Sequence, residues 1–189
     1  MRRLNIIWII LCVSLLVISP IEAQDSSYPV ITADNATAIE QIGMMGGDQG
    51  RIALSPDDHW MAIGGLQGVW VFDLNAGDES AKLLAGHTRK VNAVRFNPMD
   101  SNKLVSVSDD GTVREWDAST GENLQTIDAQ ETPIFGVDID SSGRYVAAAS
   151  GATVRIFSLE TGEQIRELDD VDVGFRRVTF LKDSPLLVA

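Results

Sequence analysis

Residues 104–117 read Leu104-Val105-Ser106-Val107-Ser108-Asp109-Asp110-Gly111-Thr112-Val113-Arg114-Glu115-Trp116-Asp117, and Gly86-His87 stands ahead of them. Two short runs rich in β-branched and aromatic residues, Leu104 to Ser108 and Thr112 to Trp116, predict strands. Val91 to Phe96 and Asn123 to Ile127 supply two more, so the unit holds four. Asn97-Pro98-Met99-Asp100 follows the first strand and Thr120-Gly121-Glu122 the third, both with the residues that chain reversal needs.

The unit recurs along the chain. Phe72, Trp116 and Phe157 end one strand type at spacings of 44 and 41 residues. Leu54, Phe96, Ile139 and Phe180 form a second series at 42, 43 and 41 residues. Ser55-Pro56-Asp57-Asp58, Ser141-Ser142-Gly143 and Thr161-Gly162-Glu163 fall at equivalent turns. A period of this size belongs to propellers and solenoids. No amphipathic helix follows the first residues, so the expected class is all-β.

The middle unit resembles a WD40 repeat, because Gly86-His87 precedes Trp116-Asp117 with Leu104 to Arg114 between them. The resemblance implies a WD40-type β-propeller of three four-stranded blades plus a partial fourth, with the ring not closed. It also implies a hydrogen-bonded structural tetrad inside the blade, formed by His87, Ser106, Asp110 and Trp116. An indole N–H only donates and a carboxylate only accepts, while the hydroxyl and imidazole between them do both, so such a chain satisfies its own buried polar atoms. Ser106, His87 and Asp110 are also the residue types of a hydrolase triad, but no Gly-x-Ser-x-Gly turn accompanies them, and no catalytic residue is expected.

The flanking units keep the apolar pattern and lose the polar one. Met45, Gln130 and Val171 stand where His87 aligns, Ala62 and Ala147 replace Ser106, Leu66 and Gly151 replace Asp110, and Phe72 and Phe157 replace Trp116. Ile39 and Ile42 align with Leu124 and Ile127, so the repeat region, residues 39–189, opens with an outermost strand. Its fourth unit supplies only Phe175 to Phe180 and Leu186 to Ala189. Three blades and a half fall short of a ring, which needs about four to eight blades, and this predicts an incomplete copy of a longer propeller. Assembly between chains is the alternative, and self-association through the open edges would cover them.

The chain begins differently. Arg2 and Arg3 precede an apolar run from Leu4 to Ile18, broken by Pro20, and this predicts a secretory signal peptide over residues 1–23. Residues 24–38 then form a polar linker. The expected location is secreted or extracytoplasmic, in the periplasm or at the cell exterior, with an uncleaved membrane anchor as the alternative; after cleavage no stable membrane insertion is expected. Cleavage removes two arginines, one glutamate and Cys12, leaving 13 basic and 26 acidic residues, a formal charge of −13 and no cysteine. Such a surface repels nucleic acid and excludes disulfide and thiol chemistry.

Other motifs carry little. Asp138-Ile139-Asp140-Ser141-Ser142-Gly143 imitates a calcium loop, but Ala149 stands at the twelfth position where a bidentate Glu is needed. Two histidines without cysteine partners do not make a zinc site, and Gly46-Gly47-Asp48-Gln49-Gly50 lacks the lysine of a phosphate loop. Asn35-Ala36-Thr37 fits a glycosylation pattern by chance. No cofactor or metal is expected.

Propellers resembling this family are rigid interaction platforms whose binding residues flank the innermost strands. That placement makes Phe135, Arg176, Lys90, Asn92 and Asp109 the candidate partner-binding residues, with Phe135 and Arg176 foremost because aromatic and arginine side chains dominate interface energies. The expected function is a non-catalytic protein–protein interaction scaffold with protein partners. The alternative is an accessory or substrate-guiding propeller of a larger enzyme, since fold alone does not dictate function.

Overall fold

The computed structural model describes residues 52–66, 68–76, 81–130, 133–169, 174–181 and 187–188. The expected signal segment, the linker, the strand at Ile39 and Ile42, and Met45, Val171, Leu186 and Ala189 lie outside the described residues.

All regular structure among the described residues is β. Strands β1 (Ile52–Leu54), β2 (Trp60–Gly65), β3 (Gly68–Asp73) and β4 (Lys82–Leu84) make the first sheet. The second holds β5 (Val91–Asn97), β6 (Asp100–Ser108), β7 (Thr112–Asp117) and β8 (Asn123–Asp128). The third holds β9 (Gly136–Ile139), β10 (Tyr145–Ser150), β11 (Thr153–Ser158) and β12 (Gln164–Asp169). Each sheet is an antiparallel meander in chain order, and β13 (Thr179–Phe180) pairs with β14 (Leu187–Val188) as a piece of a fourth. Among the described residues these are three four-stranded blades that do not close a ring.

The two-residue period of a strand explains how the blades stack. Along β5 to β7, Val91, Val94, Phe96, Leu104 and Trp116 face the first blade, where they meet Trp60, Ala62, Val69, Val71 and Leu84. Ala93, Val105, Val107 and Val113 point the other way, into a cluster with Ile134, Val137, Val146, Ala148 and Phe157 of the third blade. The third blade repeats this outward, packing Ala147, Ala149 and Val154 against Val178. Both faces of the middle blade are therefore apolar, and each buried Val, Leu or Phe contributes about 1.5–3 kcal/mol.

Polar links between blades join residues about one repeat apart in sequence. Trp60 Nε1 donates to Asn102 Oδ1 at 3.1 Å, and Arg95 Nε meets Asp138 Oδ1 at 3.3 Å. Asn97 Nδ2 donates to the Gly143 carbonyl at 2.9 Å. Asp138 also accepts the Phe180 backbone N–H through its other oxygen at 2.9 Å.

Candidate functional site

The register of the middle blade decides which polar residues meet. Leu104 pairs with Trp116 and Ser106 with Arg114, so Leu104, Ser106 and Trp116 share the face turned to the first blade. Ser106 is fully buried there, and the Trp116 indole is 1% exposed. Trp116 Nε1–H donates to Ser106 Oγ at 2.8 Å, and Ser106 Oγ lies 2.8 Å from His87 Nε2. His87 Nδ1 lies 2.9 Å from Asp110 Oδ2.

Chemistry fixes the protons along this chain. A carboxylate cannot donate, so Nδ1 carries the imidazole proton and Nε2 accepts from the Ser106 hydroxyl, whose oxygen is left for the indole. Burial pushes His87 below its ordinary value, against the pull of Asp110, and keeps the ring neutral. Burial also works against ionisation of Asp110, but hydrogen bonds from the Thr112 side chain, the Thr88 backbone and His87 outweigh it and bring the carboxyl down to about 2.

Two members of this network were not legible as site residues. Thr112 donates its hydroxyl to Asp110 Oδ1 at 2.7 Å and its N–H to the same oxygen at 3.0 Å, and the Thr88 N–H donates to Oδ2 at 2.9 Å. The available signal was local: Asp110 and Thr112 stand two apart across a turn, where a carboxylate caps backbone N–H groups. Arg114 lies over the Trp116 ring at 5.9 Å. A side chain at Gly86 would meet Arg114 Nη1 at 2.7 Å and the Trp116 ring at 3.0 Å, which explains the Gly before His87. In the flanking blades Ala62 and Ala147 are fully buried with no hydroxyl to continue a chain.

The five residues expected near the innermost strands also come together. Asn92 Nδ2 donates to Asp109 Oδ1 at 2.6 Å and to the Ile134 carbonyl at 2.8 Å. The Asp109 N–H reaches the Lys90 carbonyl at 2.9 Å. Phe135 is half-buried rather than exposed, and the Arg176 guanidinium lies 5.1 Å from its ring centre. Asn92, Phe135, Arg176 and Arg177 line an open cavity of about 260 Å³.

Asp138 and Asp140, the calcium-loop lookalikes, are occupied otherwise. Asp140 accepts from the Ser142 hydroxyl and from the Arg144 and Tyr145 N–H groups, while Asp138 serves Arg95 and Phe180. Among the described residues no three acidic, histidine or cysteine side chains gather in a metal-binding cluster.

Antiparallel four-stranded blades packed face to face, one of them clasped by an internal Trp-Ser-His-Asp chain, define a β-propeller repeat protein. Residues 78–117 and 121–158 match the family described as WD domain, G-beta repeat. It is 35% identical over 108 residues to the Eukaryotic translation initiation factor 3 subunit I of Aspergillus oryzae, covering 57% of this chain and 32% of that one. It is 32% identical over 107 residues to the subunit of the same name from Meyerozyma guilliermondii, covering 56% of this chain and 30% of that one. The Neurospora crassa counterpart is 31% identical over 107 residues, with 56% of this chain and 30% of that one covered. The chain thus spans about a third of the length of these curated relatives.

This comparison corrects one expectation. The relatives are named as subunits of a translation initiation factor, a cytoplasmic factor, which overturns the secreted or extracytoplasmic location read from the first residues. A basic start and a short apolar run describe a composition, and a composition of this kind is not unique to exported chains.

Proposed function

We propose that this chain is a non-catalytic protein-interaction scaffold that works inside a multisubunit assembly, with residues 39–189 as its propeller segment. The observation that carries the reading is that the polar groups of the middle blade are used on one another. Ser106, His87 and Asp110 are closed into a buried chain ending on an indole, so the hydroxyl has no access to a substrate and the imidazole has no free nitrogen for proton transfer. In this reading His87, Ser106, Asp110 and Trp116 brace the blade. Phe135, Arg176, Lys90, Asn92 and Asp109 then form the partner-facing surface, on rigid supports rather than on mobile loops. The relatives support the assembly, since each is named as a subunit of a larger factor.

The test is recovery of partners by the tagged full-length chain after mild crosslinking, quantified against the chain itself. The expected result is one or more proteins in near-stoichiometric amounts, reduced at least about tenfold by combined Phe135→Ala and Arg176→Ala replacement with no change in thermal midpoint. Recovery of no stoichiometric protein would refute the scaffold. Undiminished recovery by the double variant would remove Phe135 and Arg176 from its surface.

A further inference from the structure

We infer that the cavity lined by Asn92, Phe135, Arg176 and Arg177 is an anion pocket that takes the carboxylate side chain of an acidic segment on a protein partner. This rests on the scaffold reading and adds the chemistry of what is bound. Its first support is a charge imbalance. Arg176 and Arg177 are exposed, neighbouring guanidiniums, and among the described residues neither has a carboxylate at ion-pair distance. In a chain of formal charge −12, where acidic residues outnumber basic ones 27 to 15, two adjacent exposed arginines at the rim of a cavity make a local positive patch complementary to an anion.

The second support is that the walls are fixed before any ligand arrives. The segment carrying Phe135 is pinned on four sides: Ile134 N–H to the Ser108 carbonyl at 3.3 Å, Phe135 N–H to the Ala149 carbonyl at 2.8 Å, the Ser150 hydroxyl to the Pro133 carbonyl at 2.9 Å, and Asn92 Nδ2 to the Ile134 carbonyl at 2.8 Å. The arginines are held from both directions as well. Phe175 bridges to Gly151 just before them, and Gly136 lets their backbone approach β9, since a Cβ there would sit 2.8 Å from the Arg176 carbonyl oxygen and 3.0 Å from Arg177 Cα. Stacking on Phe135 at 5.1 Å then restrains the Arg176 guanidinium, so less side-chain freedom is lost when its N–H fork binds.

The third support concerns which anion fits. A space of about 260 Å³ holds a side chain and not a folded element. Phe135 offers an apolar wall to a methylene stem, and the guanidiniums offer paired donors to a planar carboxylate. Asp109 stands behind Asn92, bonded to its amide, and offsets one of the two arginine charges, so a single carboxylate suffices to neutralise the pocket. The acidic remainder of the chain repels the partner only within the screening distance of about 8 Å at physiological salt, so the local arginine pair decides.

The experiment titrates the full-length chain into a fluorescein-labelled peptide carrying Glu-Leu-Glu and follows anisotropy. The same peptide with glutamines, the same peptide with phosphoserines, and inorganic phosphate as competitor are the other arms. The pocket requires that the glutamate peptide bind at least about tenfold more tightly than the glutamine peptide, and that combined Arg176→Gln and Arg177→Gln replacement abolish the difference. Binding of the phosphoserine peptide with none of the glutamate peptide would overturn the carboxylate assignment, as would full competition by inorganic phosphate. Equal binding of the glutamate and glutamine peptides, or no effect of the double replacement, would overturn the pocket itself. A stoichiometric partner recovered alongside any of these failures would leave the scaffold standing, whereas recovery of no partner strikes the scaffold directly.

Discussion

Replacing Ser106 with alanine removes one oxygen from the middle blade and strands two partners at once. The Trp116 indole N–H loses its acceptor at 2.8 Å and His87 Nε2 loses its donor at 2.8 Å, both in a space that water does not reach. A buried polar group left unsatisfied costs about 1–3 kcal/mol, so the pair should cost about 2–6 kcal/mol, a large part of a typical domain's stability. Alanine adds no bulk, so the loss is one of hydrogen bonding and not of packing. Equilibrium urea unfolding, followed by tryptophan fluorescence and far-ultraviolet circular dichroism, reads the effect as a midpoint lowered by about 1–3 M if the slope is about 2 kcal/mol/M. Ser119→Ala is the control. Ser119 likewise uses its hydroxyl as a donor, to Asp117 Oδ1 at 2.6 Å, but in solvent, and its loss should cost less than about 0.5 kcal/mol. A Ser106→Ala midpoint within about 0.3 M of the parent would refute the reasoning, because the bonds would then carry no net stability.

Acid should weaken the fold in two steps of the same sign. Below its ordinary value of 6.5 the unfolded His87 takes up a proton that the buried ring resists, so stability falls as pH drops past that point. Asp110 is held at about 2 against an ordinary 3.8, so its stabilisation is complete above 3.8 and is lost as pH falls through about 2. That second loss is about 2 kcal/mol, and Asp110→Asn should flatten it in urea midpoints measured across the acid range. Gly143→Ala should destabilise by at least about 1 kcal/mol in the same assay, because Gly143 has φ of 70° and an added Cβ would overlap Asn97 Oδ1, disturbing the link between the second and third blades. Asp138→Ala should speed amide exchange at Phe180 about tenfold or more, since it removes that N–H's acceptor; unchanged exchange would mean that Asp138 does not hold β13.

What could be read from the chain follows from how its signals are carried. Strand positions are written in a two-residue period, so the expected Val91 to Phe96 and Thr112 to Trp116 became β5 and β7 with one residue added to each. The meeting of His87, Ser106, Asp110 and Trp116 was implied by the WD40 resemblance of the middle unit and not by the period itself. The contacts of Arg95 with Asp138 and Asn97 with Gly143 were equally present as residues one period apart. They stayed hidden because a period shows that two units are alike and not which atoms of neighbouring units touch. The last unit departs more. Phe175 to Phe180 reads as one strand, yet only Thr179 and Phe180 pair with β14, while Phe175 bridges to Gly151 of the third blade. Arg176 and Arg177 lie between these two attachments, so the interruption that shortened the strand also placed both guanidiniums on the cavity.

The indole proton of Trp116 reports on the central claim directly, because it exists in its observed setting only if the blade is closed around Ser106 and packed against its neighbour. Hydrogen exchange followed by nuclear magnetic resonance should find it protected to nearly the level of global unfolding, as expected for a bonded N–H in a ring 1% exposed. Exchange of the Trp116 indole at the rate of a tryptophan in open solvent would contradict the account.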